Sequence, residues 1–144
     1  MFVYRICRRP HTSLDGEGAR LWGGRWNSPG KPAVYTSAHL SLAALEYFVH
    51  VDPSILPVDL VWMKIQIEDD CSTEIFTGKV APDPSTAASY GDDWLTAKRS
   101  LILMVPSVVL AVELNVIINP AHVEMSCVKT ADVSPFEFDG RIFK

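Results

Sequence analysis

Apolar residues along the chain follow two periods, and the period changes at turn-forming residues. From Phe2 to Cys7 they alternate, with Phe2, Tyr4 and Ile6 on one side, which predicts a strand. A polar, glycine-rich stretch follows. After Pro29-Gly30 the short run Ala33–Ser37 predicts a second strand. The period then lengthens. Leu42, Leu45 and Val49 recur at helical spacing, Ser37 or Ser41 is suited to cap the helix, and Pro53 ends it. Val58–Ile67 returns to alternation, with Val61, Met63, Ile65 and Ile67 sharing one face of a long strand. Cys71–Asp93 is polar, contains two prolines and predicts a surface loop, with a short helix after it near Trp94–Lys98. Leu101–Pro120 is β-rich and interrupted at Pro106, where a proline breaks a central strand or marks a bulge. Phe136–Phe143 predicts a last strand, kinked at Gly140. Strands outnumber helices and no repeat interrupts the order. The pattern therefore predicts one α+β domain over residues 1–144, built on a mixed or mostly antiparallel sheet.

Composition narrows the class. A chain of 144 residues, 48% of them hydrophobic, can close a single core and is too apolar to stay disordered. No apolar run reaches the roughly 18 residues that cross a bilayer, so no membrane partner is expected. The N-terminus carries its arginines after a short apolar piece, the reverse of a secretory signal, which predicts a cytoplasmic protein. A net charge of −4 without a Lys/Arg block argues against direct nucleic-acid binding. It leaves room for a local basic pocket that takes a phosphorylated small molecule. Cys7, Cys71 and Cys127 lie far apart in sequence without CxxC spacing, so reduced thiols are expected rather than a disulfide framework or a zinc knuckle.

A few polar residues stand out against this background. Arg25 follows Gly23-Gly24, where a flexible backbone can approach a ligand and the guanidinium fork suits phosphate or carboxylate. A tight turn with Arg25 paired to a structural carboxylate fits the same residues. Tyr35 in its strand serves either packing or the stacking of an aromatic ring. Glu46 falls on the flank of the Leu42–Leu45–Val49 stripe. There it is either partly shielded or turned to solvent. His39, Glu46 and His50 line up on one helical face, but His39 is almost two turns from Glu46 and no complete ligand set results, so no metal is expected. Ser107 lacks a GxSxG elbow and suits a hydrogen-bonding role at the strand break. His122 fits a turn capped by Asn119.

Together these residues resemble the RES-domain toxins of bacterial toxin–antitoxin modules. The resemblance runs through "YRI" (Tyr4–Ile6), "GEGARLWGGRWNSPGKPAVYTSAHLSLAALEYFVH" (Gly16–His50), "GDDWL" (Gly91–Leu95), "VPSVV" (Val105–Val109) and "NVIINPAH" (Asn115–His122). The order of "GGRWN", "VYTS" and "SLAALE" is more specific than any one of them. The family's arginine, glutamate and serine fall on Arg25, Glu46 and Ser107, and its site tyrosine on Tyr35. The resemblance implies a compact fold akin to ADP-ribosyltransferase toxins. It implies attack on NAD+ as substrate, with loss of nicotinamide and no further cofactor, by hydrolysis or phosphorolysis. Transfer of ADP-ribose to a protein is the alternative it allows, and a non-catalytic nucleotide-binding module is the rival reading of the same pocket. In this reading Arg25, Tyr35, Gly24, Asn27 and Arg5 contact the dinucleotide, and Arg25, Glu46, Tyr35 and Ser107 carry the reaction. The implied partner is an Xre-type antitoxin with a helix-turn-helix part, in a homo- or hetero-oligomeric assembly.

Overall fold

A computed structural model describes residues 1–79 and 83–143. Its centre is a seven-stranded mixed sheet, with β1 (Phe2–Arg8), β2 (Val34–Ser37), β3 (Leu60–Ile67), β4 (Thr73–Ile75), β5 (Ile102–Pro106), β6 (Leu114–Ile118) and β7 (Val128–Pro135) in the order β4-β5-β6-β2-β1-β3-β7. Only β4 and β5 run parallel. Three helices join them: α1 (Glu17–Trp22), α2 (Leu40–His50) and α3 (Pro84–Ala97). This is the α+β architecture with a mixed sheet that the pattern predicts. Among the described residues no helix is long and apolar enough to cross a membrane.

Alternation along the strands divides the interior in two. Val61, Met63, Ile65 and Ile67 all face one cluster with Val3, Cys7, Val34 and Ile118, as the period-two reading requires. The opposite face carries Leu103, Val105 and Ile117, covered by Trp94 and Leu95 of α3, and further along Ile6 and Leu60, covered by Ala43 of α2. The register pairs Tyr35 with Ile117, Ser37 with Asn115 and Ser37 with Tyr4, so these residues share the helix-covered face. Strands β1 and β2 are matched at Tyr4 and Ser37 alone and then diverge.

Three expectations need correction, and one strand has no counterpart in the pattern. The segment Cys71–Asp93 is not simply a loop: it holds β4 and most of α3, while residues 80–82 lie outside the described residues. Asp83 begins α3 by accepting Thr86 N at 3.0 Å, and Ala87, Gly91, Trp94 and Leu95 are its buried stripe. That stripe has helical spacing, but small residues at two of its positions hide it in a hydropathy reading. Val128–Pro135 is a strand without an apolar signal, because only Val128 is buried on this sheet edge. Phe136–Phe143 is not a strand. Phe136 N adds one bond to Leu60 O at 3.0 Å, after which Phe138 and Phe143 turn onto Tyr47 and Phe48 of α2, with a single 3-10 turn at Gly140–Phe143. Finally, α2 has no serine cap. His39 occupies the N-cap, while Ser37 is buried in β2 and bonds Asn115.

The face that α2 buries also differs from the predicted stripe. Leu42 is fully buried, but Leu45 and Val49 are 42% and 51% exposed. Leu42 and Ala43 point inward instead, and one turn further along are Glu46 and Tyr47. The helix is therefore rotated relative to the hydropathy reading. Glu46 is on its inner side, not its flank.

Candidate active site

A cavity of about 990 Å³ opens where β1 and β2 diverge. Its walls come from β1, α1, the Gly23–Trp26 turn, β2, the inner side of α2 and the end of β5. The volume is at the upper end of the range for small-molecule sites. Of the predicted site residues, Arg5, Gly24, Arg25, Tyr35 and Glu46 line it; Asn27 and Ser107 do not.

The arginine turn is rigid for identifiable reasons. Gly23 has φ +74°, a conformation that side chains resist, and Gly24 and Asn27 form an isolated antiparallel bridge. Asn27 is buried, and its amide Nδ2 donates to the carbonyls of Ala19 at 2.9 Å, Ser28 at 3.2 Å and Lys31 at 2.9 Å. Its Oδ1 accepts the Tyr35 hydroxyl at 2.7 Å, and that hydroxyl accepts Trp26 N at 3.0 Å. Burial raises the Tyr35 phenol far above its ordinary range, so it remains a neutral donor to Asn27. Asn27, expected as a ligand contact, is thus committed to the turn, as is the Tyr35 hydroxyl, while Tyr35, expected to stack on a ring, lines the cavity. A Cβ on Gly24 would come within 2.7 Å of that hydroxyl.

Helix α3 braces the turn from behind. Asp92 accepts Ser28 N at 2.8 Å and Ser28 Oγ at 2.6 Å. Gly91 lets the helix backbone close on the turn: a Cβ there would be 1.7 Å from Trp26 O. Arg25 projects from this braced loop, half-buried, into the cavity. Arg5 enters from β1. Its Nη1 donates to Tyr35 O at 3.4 Å, across the point where the β1–β2 ladder has parted, and its buried Nε has no hydrogen-bond partner among the described residues.

Glu46 lines the same cavity from α2. Its Oε1 accepts two short bonds, from Ser107 Oγ at 2.7 Å and Asn115 Nδ2 at 2.6 Å. Each donor is fixed in turn. Ser107 Oγ accepts the backbone N–H groups of Val109 at 3.1 Å and Leu110 at 3.0 Å, and Asn115 Oδ1 accepts Ser37 Oγ at 2.7 Å. Ser107 is completely buried, so it positions Glu46 from behind the cavity wall. Asn115 lines the cavity and was missed by sequence reasoning as a site residue. A signal existed: it is a polar residue two positions from Ile117, on the covered face of an otherwise apolar strand. His39 caps α2 and His50 lines the cavity; no group of three or more His, Cys, Asp or Glu side chains able to hold a metal occurs among the described residues.

Comparison with known proteins follows the same residues. The RES domain family model matches residues 2–139. A "Prs ADP-ribosylating toxin" of Sphingobium sp. is 34% identical over 140 residues, covering 91% of this chain and 87% of its own length. A "Toxin Res" of Yersinia enterocolitica is 34% identical, with 99% of both chains covered, and one of Photorhabdus laumondii is 35% identical. In fold, the chain is similar to a chain of the M. tuberculosis MbcT–MbcA toxin–antitoxin complex, with a TM-score of 0.74 at 16% identity over 99% of this chain and 86% of that one.

Proposed function

The chain belongs to the RES-domain family, and on that premise we propose that it is the toxin of a toxin–antitoxin pair and acts by cleaving the nicotinamide–ribose bond of NAD+. One observation carries the chemistry: a carboxylate, Glu46, is oriented by two neutral donors inside a cavity that also presents Arg5 and Arg25. Arginine forks suit a pyrophosphate. An anion fixed by uncharged donors suits a cation that develops opposite it.

The bond between ribose C1′ and the nicotinamide nitrogen breaks with its electron pair moving to nitrogen. The pyridinium becomes neutral nicotinamide, so the leaving group needs no proton. Positive charge appears on the ribose as an oxocarbenium-like state. Arg25 and Arg5 hold the phosphates and so aim the ribose at Glu46. Glu46 stabilises the ribosyl cation while Ser107 and Asn115 keep its carboxylate from rotating. The acceptor oxygen, of water or inorganic phosphate, then bonds to C1′, and water releases one proton to solvent as it adds. A second reading, transfer to a protein side chain, is favoured by the Sphingobium relative, which is named for ADP-ribosylation. The antitoxin that would restrain the activity is proposed to be of the Xre type.

The test is nicotinamide release from NAD+ by the purified chain, with products separated in the presence and absence of phosphate and of candidate protein acceptors. Glu46→Gln keeps the shape and removes the charge, and turnover is expected to fall by about 10²–10³. Unchanged turnover in folded Glu46→Gln protein would end the mechanism. Absence of nicotinamide release by the wild-type chain under all acceptors would leave a nucleotide-binding module instead.

A further inference from the structure

Cys71 and Cys127 are distant in sequence, and the fold brings them together. The last pair of the β3–β7 ladder is Ile67 with Val128, so the chain leaving β3 runs beside the chain entering β7. Glu68 N bonds Cys127 O at 3.2 Å, and a turn closed by Cys71 N to Glu68 O at 3.3 Å folds the backbone back. Cys71 and Cys127 are thereby brought to one corner of the fold, joined through the backbone of Glu68. Both pack against the same core edge as Met125. The surrounding backbone is clamped. Ser72 N bonds Glu124 Oε2 at 3.0 Å, Ser72 Oγ donates to the same oxygen, and Leu101 N donates to Ser72 Oγ at 2.9 Å. Three segments thus meet here and fix the backbone that carries the two cysteines. Neither lines the cavity. The third cysteine, Cys7, is buried elsewhere with its sulfur 3.8 Å from Met63 Sδ.

We propose that Cys71 and Cys127 are a redox pair that closes to an intramolecular disulfide under a two-electron oxidant of the peroxide class. The two thiols give up two protons and two electrons, a sulfur–sulfur bond forms, and the peroxide O–O bond is reduced to two molecules of water. The bond staples the β3–β4 connection to the turn before β7. It closes a long loop and so restricts the unfolded chain. Burial, the neighbouring Cys127 and the acidic groups Glu124 and Asp70 push the Cys71 thiol up to about 12. The thiolate is the attacking form, so this thiol is slow to react at neutral pH and reacts faster as pH rises.

The purified full chain is treated with a small excess of hydrogen peroxide at pH 8.5 and digested without reduction. The expected result is a linked Cys71–Cys127 peptide, loss of two of the three thiols, and a Tm higher by roughly 5–10 °C that dithiothreitol reverses. Cys127→Ser should abolish both the linked peptide and the Tm shift. A linkage through Cys7, linkage between chains only, or a linked peptide without a gain in Tm would each overturn the proposal. Because the pair is outside the cavity, these readouts do not depend on turnover.

Discussion

At the residue scale, the site separates a carboxylate that faces the cavity from the groups that aim it. Ser107 is fully buried yet bonded to Glu46, and its oxygen also serves two backbone N–H groups of the β5–β6 connection. Ser107→Ala therefore leaves two amides without their acceptor and frees Glu46 from one of its two donors. Each buried polar group left unsatisfied costs about 1–3 kcal/mol. On the proposed function, the expected outcome is a lower Tm together with a kcat reduced by roughly tenfold, because the lost bond orients the carboxylate assigned to the transition state. KM for NAD+ should stay near the wild-type value, because the arginines are untouched. A variant with reduced Tm but wild-type kcat would reduce Ser107 to a structural serine. Asn115 offers the matching donor from β6, so Ser107→Ala with Asn115→Ala should lose more rate than the two separate losses predict if both fix the same carboxylate.

At the scale of elements, the site depends on how closely α3 and the arginine turn meet. Gly91 is in a helix interior, where glycine is otherwise unfavourable, and the reason is Trp26 O on the far side. Gly91→Ala should gain helix propensity and still destabilise, because backbone oxygen cannot yield as a side chain would. Overpacking of this kind costs about 3 kcal/mol, which predicts a fall in Tm of roughly 10 °C by calorimetry. A neutral or stabilising Gly91→Ala would mean the turn is not braced by α3. This junction also shows what the sequence could reveal. The strand β3 was legible, because Val61, Met63, Ile65 and Ile67 are all buried and all apolar. Helix α3 was not, since Ala87 and Gly91 carry its contact without hydrophobic bulk. Strand β7 was hidden for the opposite reason: an edge strand with only Val128 buried has no pattern to read. The turn sequence "GGRWN" located Arg25, but the commitment of Asn27 and the Tyr35 hydroxyl to the loop depends on bonds to residues whose proximity no local pattern encodes.

At the scale of the molecule, stability is tied to pH through paired carboxylates. Several carboxylates are held below their usual range by neighbours: Asp59 by Arg8, Glu74 by Arg99, Asp139 by Arg141, and Asp83 by the hydroxyls of Ser85 and Thr86. A carboxylate lowered in the folded state stabilises above its unfolded value and loses that contribution as pH falls through the folded one. Thermal stability should therefore change little from neutrality to about pH 5 and drop below about pH 4.5. A Tm at pH 3 equal to that at pH 7 would contradict this. The cavity lining carries both signs, with Asp15, Glu17 and Glu46 beside Arg5, Arg8 and Arg25. A chain of net charge −4 brings Arg5 and Arg25 to a single opening, and on the proposed function these two arginines are the cations that the phosphates of the dinucleotide would meet there. If the proposed function holds, the activity harms the cell that makes the protein unless a partner blocks the opening. Leu21, Trp22 and Val108 are exposed apolar residues of the cavity lining, and they give such a partner surface to cover beside the arginines. Induced expression of the wild-type chain alone should deplete cellular NAD+ and arrest growth within the same period. Glu46→Gln at equal soluble abundance should do neither, and co-expression of the neighbouring antitoxin should protect both NAD+ and growth. Growth arrest with normal NAD+ would redirect the reading to a protein target of ADP-ribosylation, and normal growth with abundant soluble chain would remove the toxin reading altogether.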